Sequence, residues 1–204
     1  MPREVAPAEV AAFRQRFCEA AVALFEQGGF ARLSLRKLGE ATGMSAMTPY
    51  RYFASKAAIL AALRALATDR LADRLERALD VPGCGHARAR GVFAAYVDFA
   101  LDEPAAYRLI FGFEPGPAEP CTEQEAATGR LHGVLTRAGQ VLEDAEAEGS
   151  GAGGLGVLCW ALAHGTASLY LARPSVMKGD DPRTIAAAGL EALLRGVRST
   201  GHGD

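Results

Sequence analysis

The chain has 204 residues and a mass of 21.4 kDa, which fits one domain or two small ones and suffices for a buried core. Hydrophobic residues make up 50% and charged residues 23%, an ordinary composition for a folded soluble protein. The net charge of −2 excludes a wholly basic nucleic-acid coat, but the charge is uneven: residues 1–56 carry +3 and residues 57–204 carry −5. A basic first segment is typical of a surface that contacts something anionic.

The expected location follows from the cysteines and the apolar segments. The N-terminal sequence MPREVAPAEV lacks the apolar core of a signal peptide. Residues 151–172 carry no formal charge and are long enough to span a bilayer, but Gly, Ala, Ser, Thr and His dilute the Leu and Val. We therefore expect a buried helix, no membrane contact and a cytoplasmic protein with reduced thiols. Four cysteines lie far apart, with no C-x-x-C pair or zinc pattern: Cys18, Cys84, Cys121 and Cys159.

Apolar residues recur at intervals of three and four along most of the chain, the spacing of one helix face. Local signals mark helix ends: Gly43 predicts a stop, and Ser45 and Ser55 predict N-caps. No run of alternating β-branched residues predicts a strand. We therefore expect an all-α fold with about nine helices. Their expected ranges are 13–24, 35–41, 45–53, 55–79, 92–100, 104–111, 131–145, 152–171 and 185–197.

Residues 34–56 read SLRKLGEATGMSAMTPYRYFASK and predict two short helices joined by a turn that contains Gly43. This is the helix-turn-helix arrangement, in which the second helix enters the DNA major groove. Leu35 and Leu38 give the first helix an inward face, and the second helix is about two turns long, enough to fill one groove. A helical hairpin in an ordinary bundle has the same spacing, so the spacing alone leaves both interpretations open.

The second helix of this segment offers side chains suited to DNA. Thr48 and Tyr50 carry hydroxyl groups that reach phosphates or base edges, and the apolar Ala46 and Met47 suit thymine methyl groups. The N–H groups at its start and the charge of Lys56 favour phosphate. The predicted DNA-contacting residues are Ser45, Ala46, Met47, Thr48, Tyr50, Arg51, Tyr52 and Lys56.

Three pieces of the first 63 residues resemble the DNA-binding domain of the TetR family of bacterial regulators. They read LFEQGGF (24–30), LSLRKLGEATGMS (33–45) and PYRYFASKAAIL (49–60), in the family's order and spacing. The resemblance implies a three-helix head whose first helix supports the helix-turn-helix. It also implies that residues 46–48 lie at bases, and that Tyr50, Tyr52 and Lys56 hold phosphates.

The rest of the chain resembles the ligand-binding and dimerisation body of that family. Trp160, His164 and Gly165 match the Trp–His–Gly motif of one C-terminal subgroup, and AYRLIFGF (106–113) is similar to the pattern of the same subgroup. This resemblance implies a small-molecule effector and a homodimer. It does not identify the effector or the operator.

His164 is the one polar ring in an apolar helix. It is either a hydrogen-bond partner for a ligand or a core histidine paired with a protein group, because a buried polar group needs a partner in both cases. Aromatic side chains between helices are candidates for lining a small-molecule pocket, although the same spacing is typical of plain core. The predicted ligand-binding residues are Phe93, Tyr96, Tyr107, Phe111, Trp160 and His164.

Catalytic motifs are missing from the sequence. No Ser–His–Asp order, Gly-rich phosphate loop or H-E-x-x-H motif occurs, so we expect no catalytic residue, metal or cofactor. An acidic run looks like a solvated helix end rather than a metal site; its members are Glu143, Asp144, Glu146 and Glu148.

These patterns predict a DNA-binding domain in residues 1–56 and a ligand-binding and dimerisation domain in residues 57–204. We expect a ligand-responsive repressor that binds a palindromic double-stranded operator as a homodimer through its last two helices, because the apolar helix 152–171 needs cover on several sides. One alternative is a small-molecule binding or catalytic module whose head no longer reads DNA. Another is an interaction protein that binds a protein partner through the helical hairpin.

Overall fold

The structure is a computed structural model that describes residues 7–27, 35–45, 48–53, 55–112, 122–146 and 154–200. Within these ranges all regular structure is helical, which confirms the all-α prediction. In the described part of the chain, two 3-10 helices, Thr48–Arg51 and Pro174–Met177, accompany eight α-helices. The α-helices are α1 (Pro7–Glu26), α2 (Leu35–Thr42), α3 (Lys56–Leu79), α4 (Gly85–Asp102), α5 (Pro104–Phe111), α6 (Thr122–Glu146), α7 (Leu155–Ala172) and α8 (Pro182–Thr200).

The helix predicted at residues 45–53 is not an α-helix in the structure. Its described part forms the 3-10 helix Thr48–Arg51 rather than an α-helix. Two of its hydrogen bonds span three residues, as in a 3-10 helix: Thr48 N–H donates to the Ser45 carbonyl at 3.0 Å, and Tyr52 N–H donates to the Pro49 carbonyl at 2.9 Å. The Phe53 N–H also donates to the Pro49 carbonyl, at 2.9 Å. Residues 46 and 47 lie outside the described residues.

The chain forms two compact units, and the first contains residues 1–68 and 105–127. In it α1 packs against α2. Phe17, Ala21 and Phe25 stand four residues apart on α1 and are buried, so they form one continuous apolar row. Leu38 of α2 and Phe53 are also buried. This first unit therefore has an apolar core of its own.

The helix α5 belongs to the first unit together with the start of α6. Arg64 is buried, and its Nε donates a hydrogen bond to the Leu109 carbonyl of α5 at 3.2 Å. Arg14 of α1 forms an ion pair with Glu123 of α6, with Nη1 and Oε1 2.8 Å apart. Polar contacts thus join α5 and α6 to the helices that precede them in this unit.

The second unit contains residues 69–104 and 128–204, and the division falls within α3. The predicted boundary after residue 56 stays a prediction. In this unit α7 packs against both α4 and α8, and α4 also packs against α8. The helix α4 contributes a row of buried side chains to this unit: Ala89, Val92, Phe93, Tyr96, Val97, Phe99 and Ala100.

The helix α7 corresponds to the uncharged segment of the sequence. By length and composition it could cross a membrane, with a mean hydropathy of 1.4 and 28% of its residues buried. One such helix is weak evidence for a membrane span, because the core helix of a soluble protein passes the same test. The expectation that this helix needs cover on several sides, in part from a second copy of the chain, stays a prediction. Val157, Leu158 and Leu169 are about half exposed or more, because α4 and α8 cover other faces of α7.

Two contacts fix α7 against α6 within the second unit. The helices touch backbone to backbone at Gly139 and Gly156, where a Cβ added at Gly139 would lie 2.7 Å from the Gly156 Cα. Glu143 of α6 accepts hydrogen bonds through Oε1 from the Gly154 and Leu155 N–H groups, at 3.0 and 3.1 Å. Glu143 is half-buried in the last turn of α6, and its carboxylate also caps the N-terminus of α7, while the neighbouring Asp144 is exposed.

Candidate DNA-binding and effector sites

The turn after α2 has the backbone that the predicted helix-turn-helix requires. Gly43 has a φ of 68°, a left-handed conformation that favours glycine. Its N–H donates to the Glu40 carbonyl at 3.3 Å, and the Met44 N–H donates to the Gly39 carbonyl at 2.7 Å. These two bonds form a Schellman motif, which ends α2 and satisfies two of its last carbonyls. The predicted stop at Gly43 is confirmed.

The segment after this turn contains the predicted DNA-contacting side chains. Ser45 is exposed and Thr48 is half-buried, and their hydroxyl oxygens lie 3.0 Å apart. The structure therefore places these two hydroxyls together at the start of the 3-10 helix. Ala46 and Met47 lie outside the described residues, and Tyr50, Arg51 and Lys56 are described in their backbone alone.

Tyr52 takes part in the packing of the first unit. Its ring is stacked on Phe13 of α1, with centroids 3.7 Å apart. The neighbouring Phe53 is buried against Phe17, and the Arg14 guanidinium lies 4.9 Å from the centre of its ring. Aromatic contacts thus hold the end of the helix-turn-helix against α1. Sequence spacing alone does not reveal this packing role of Tyr52.

The start of α3 follows directly after these aromatic residues. Ser55 caps it, because the Ala58 N–H donates to Ser55 Oγ at 3.0 Å, and this confirms the predicted N-cap. Lys56 is the first residue of α3. The N-terminus of a helix carries partial positive charge and free N–H groups, and both favour phosphate.

In the second unit, Tyr96 and the half-buried His164 form a polar pair. Tyr96 is fully buried, and its Oη lies 2.9 Å from His164 Nδ1. Ser168 Oγ lies 3.3 Å from the other ring nitrogen, Nε2. A neutral imidazole serves both contacts, because one nitrogen accepts and the other donates. Burial lowers the pKa of His164 below its ordinary value and so favours this neutral form.

Trp160 stands beside this pair, with its ring 6.5 Å from that of His164. The Trp160 Nε1 atom is buried and has no hydrogen-bond partner in the described part of the chain. The other predicted ligand-binding residues lie elsewhere. Phe93 lines a separate cavity between α4, α7 and α8, and Tyr107 and Phe111 of the first unit contact each other with ring centroids 4.9 Å apart.

Two family models match this chain. Residues 17–63, which include α2, the Gly43 turn and the capped start of α3, match the model described as bacterial regulatory proteins, tetR family. Residues 89–193 match the model described as tetracyclin repressor-like, C-terminal domain. The second match covers more than half of the chain. The chain belongs to the TetR family of transcriptional regulators. The Trp–His–Gly subgroup stays a prediction.

Solved structures similar to this TetR-family chain share its fold over nearly the full length. A protein of unknown function from Rhodococcus sp. RHA1 is 25% identical, with 96% of this chain and 97% of that chain covered and a TM-score of 0.74. The TetR family regulator PfmR from Thermus thermophilus is 21% identical, with coverages of 88% and 97% and a TM-score of 0.64. A TetR-family regulator from Bordetella parapertussis 12822 is 17% identical, with coverages of 89% and 94% and a TM-score of 0.63. A search of curated proteins finds no match.

TetR-family regulators are soluble, non-enzymatic transcription factors, and this chain is accordingly a DNA-binding regulator rather than an enzyme. Within the residues that the structure describes, no group of three or more His, Cys, Asp or Glu side chains is placed to hold a metal ion.

Proposed function

We propose that this TetR-family protein is a cytoplasmic repressor that binds a palindromic operator as a homodimer and is released by a small-molecule effector. One observation carries the DNA-binding part: residues 17–63 match the family's DNA-binding model and include α2, the left-handed turn at Gly43 and the capped start of α3. The positive charge of residues 1–56 agrees with an anionic partner.

The proposed contacts divide into those that read sequence and those that hold phosphates. We assign base contacts to residues 46–48, with Ser45 at the start of the segment. We assign phosphate contacts to Tyr50, Arg51, Tyr52 and Lys56. The capped N-terminus of α3 supports the assignment at Lys56, because the helix dipole adds to the charge of the side chain there.

The first experiment is the selection and sequencing of DNA fragments bound by the purified protein at about 150 mM salt, where weak surface attraction is screened. We expect enrichment of one palindrome. With that operator, Tyr50→Phe weakens binding, and Lys56→Ala weakens binding and lowers the slope of log affinity against log salt by about one. The control Arg77→Ala removes a positive charge from an exposed position further along α3 and leaves the slope unchanged. Equal affinities and slopes for all variants would contradict the phosphate assignment.

The exposed face of α7 supports the proposed dimer. Leu158, Gly165, Leu169 and Ala172 share one face at spacings of seven, four and three. Leu158 is 53% exposed and Leu169 is 49% exposed. A Cβ added at Gly165 would meet nothing within 4 Å, so no contact within the described chain requires glycine there. A helix of a second copy would use that space for a close approach.

The helix α8 offers a second, complementary face. Ala188 and Ala192 are exposed, one turn apart, and leave small side chains where a partner helix would cross. Leu190 and Leu194, on another face of α8, are buried in the second unit. A two-fold dimer through α7 and α8 would present two heads to the two half-sites of a palindrome.

The dimer is tested by placing a charge on the proposed interface. Leu169→Glu is expected to sediment as a 21.4 kDa monomer, where the unchanged protein sediments at twice that mass. Val81→Glu is the matched control, because Val81 is equally exposed, at 55%, but lies in the turn after α3. A dimer that survives Leu169→Glu and Gly165→Leu alike would refute the assignment of the interface to α7.

The proposed effector binds in the spaces between the helices. The predicted lining residues Phe93, Tyr96, Tyr107, Phe111 and Trp160 remain candidates, and for His164 we infer a structural role, which its contacts with Tyr96 and Ser168 support. An effector shifts the regulator only if it binds the form that is incompetent for DNA more tightly than the competent form. The same operator fragment therefore serves as the probe for effector screening.

A further inference from the structure

The side chain of Arg14 on α1 contacts two other parts of the first unit at once. Its terminal nitrogens form a two-point ion pair with the carboxylate of Glu123 on α6: Nη1 lies 2.8 Å from Oε1, and Nη2 donates to Oε2 at 2.9 Å. The Cζ atom of the same guanidinium lies over the Phe53 ring, 4.9 Å from its centre. Arg14 therefore joins three segments, which are α1, the end of the helix-turn-helix and the start of α6.

The ion pair fixes the direction of the Arg14 guanidinium. This group is planar, and a carboxylate that bonds both of its terminal nitrogens leaves the plane little freedom to rotate. The side chains of Arg14 and Glu123 are 32% and 51% exposed, so the pair contributes little to the overall stability of the protein. Its main effect is on orientation, because it holds the cation over the Phe53 ring.

Phe53 carries this restraint to the segment that we assign to DNA contact. Its side chain is buried, and its ring centre lies 5.5 Å from that of Phe17 on α1. The N–H groups of Phe53 and Tyr52 both donate to the Pro49 carbonyl, at 2.9 Å. A shift of Phe53 would therefore move the backbone of the 3-10 helix Thr48–Arg51 with it.

Neither member of the ion pair belongs to residues 17–63, which match the family's DNA-binding model. Glu123 lies in the first turn of α6, and the first unit extends along this helix to residue 127. The compact unit that contains the helix-turn-helix includes both Arg14 and Glu123. The unit that holds the DNA-contacting segment is therefore larger than the matched range.

We propose that Arg14 and Glu123 are positioning residues for DNA binding: the ion pair from α6 holds Phe53, and through it the backbone of Thr48–Arg51, in the arrangement that fits the operator. Neither side chain of the pair touches DNA. This inference rests on the proposed function, because the operator is the ligand whose binding the pair changes. Without the pair, the end of the helix-turn-helix samples more orientations, and the apparent affinity falls with the fraction of molecules in the competent one.

The affinity for the selected operator separates this role from a simple effect of charge. Glu123→Gln removes a negative charge, and it would strengthen DNA binding if charge alone mattered. We expect the opposite, a loss of about threefold for each head and about tenfold for a dimer with two heads, the order of magnitude of a partly exposed ion pair. The slope of log affinity against log salt should stay unchanged, because no phosphate contact is lost.

Glu125→Gln is the matched control. It removes the same charge from the same first turn of α6, at an exposed side chain for which the described part of the chain provides no ion pair, and it should not weaken binding.

Arg14 is tested with two substitutions. Arg14→Gln should weaken operator binding by about the same factor as Glu123→Gln, and the double variant should bind no more weakly than either single variant. Arg14→Lys retains a cation for Glu123 and for the Phe53 ring, and its affinity should fall in between. Unchanged or tighter binding by Glu123→Gln, or a lower salt slope in Arg14→Gln, would overturn the proposal. A lower slope would make Arg14 itself a phosphate contact.

Hydrogen exchange measured by mass spectrometry tests the positioning without DNA. Peptides that cover residues 49–53 should exchange at least about threefold faster in Glu123→Gln than in the unchanged protein or in Glu125→Gln. Peptides from α4 and α7 should exchange equally in all three proteins, which checks that the fold is intact. Equal exchange at residues 49–53 would overturn the proposal. Faster exchange in a protein that binds no DNA fragment would contradict the proposed function instead, while it would still support the restraint of Phe53 by Glu123.

Discussion

The helix α6 has two glycines that can be compared, one at the crossing with α7 and one away from it. Gly139 touches Gly156 of α7 backbone to backbone, and a Cβ added at Gly139 would lie 2.7 Å from the Gly156 Cα. A Cβ added at Gly133 of the same helix would meet nothing within 4 Å. We predict that Gly133→Ala stabilises the protein and that Gly139→Ala destabilises it relative to Gly133→Ala.

The magnitudes follow from two separable effects. Replacing a mid-helix glycine by alanine raises helix propensity by about 0.8–1 kcal/mol, and this gain is the same at both positions. At Gly139 the added carbon lies about 0.8–1.3 Å inside the ordinary carbon–carbon contact of about 3.5–4.0 Å, so the helices must move apart. Overpacking of this kind costs about 1–3 kcal/mol. Because propensity cancels in the comparison, the two variants should differ by about 1–3 kcal/mol in free energy of unfolding.

Urea unfolding followed by circular dichroism measures this difference, at one fixed protein concentration because the proposed dimer would make stability depend on concentration. Gly129→Ala is a second control, since a Cβ at Gly129 would also meet nothing within 4 Å. It should match Gly133→Ala. A Gly139→Ala protein as stable as both controls would refute the argument that backbone contact fixes the α6–α7 crossing.

Three further predictions concern two helix caps and the half-buried His164. Glu143→Ala removes the cap on the Gly154 N–H group and should lower the free energy of unfolding by about 1 kcal/mol in urea titrations, whereas Asp144→Ala, at an exposed neighbour, should change it by less than about 0.5 kcal/mol. Ser55→Ala should lower the free energy of unfolding by about 0.5–2 kcal/mol through loss of the α3 cap, and Ser55→Asp, which retains an acceptor oxygen, should not. Burial lowers the pKa of His164, so the folded state binds the imidazole proton more weakly than the unfolded state does. The free energy of unfolding should therefore be retained above about pH 6.5 and decrease as the pH falls through the lower folded-state pKa. Thermal melts across this pH range should show a smaller decrease for His164→Gln, and an identical decrease would contradict the assignment.

The features predictable from the sequence depend on neighbours in the chain. The stop at Gly43 and the cap at Ser55 follow from local backbone chemistry, and the structure confirms both. The all-α fold follows from helical periodicity in the same way. The 3-10 form of Thr48–Arg51 was not predictable, because the same apolar spacing fits either kind of helix over so few residues.

The features that sequence reasoning missed depend on residues far apart in the chain. The Arg90–Glu191 pair that borders the cavity joins residues 101 positions apart, and nothing in the local pattern of either helix indicates it. The Gly139–Gly156 contact could not be predicted from the local sequence either. The helix α6 also contains Gly129 and Gly133, where an added Cβ would meet nothing within 4 Å, so glycine alone does not indicate a contact. Glu143 belongs to an acidic run in the sequence. Its role as a cap could not be predicted, because that role depends on where α7 begins.

The cap on α7 has a consequence for how this region tolerates change during evolution. A helix start is usually specified by the residue that immediately precedes it. Here the acceptor for the Gly154 N–H group lies eleven residues upstream, on another helix. The carboxylate of Glu143 therefore supplies this cap from α6. Insertions, deletions and altered composition between α6 and α7 should be tolerated among relatives, provided that a carboxylate persists at the position of Glu143.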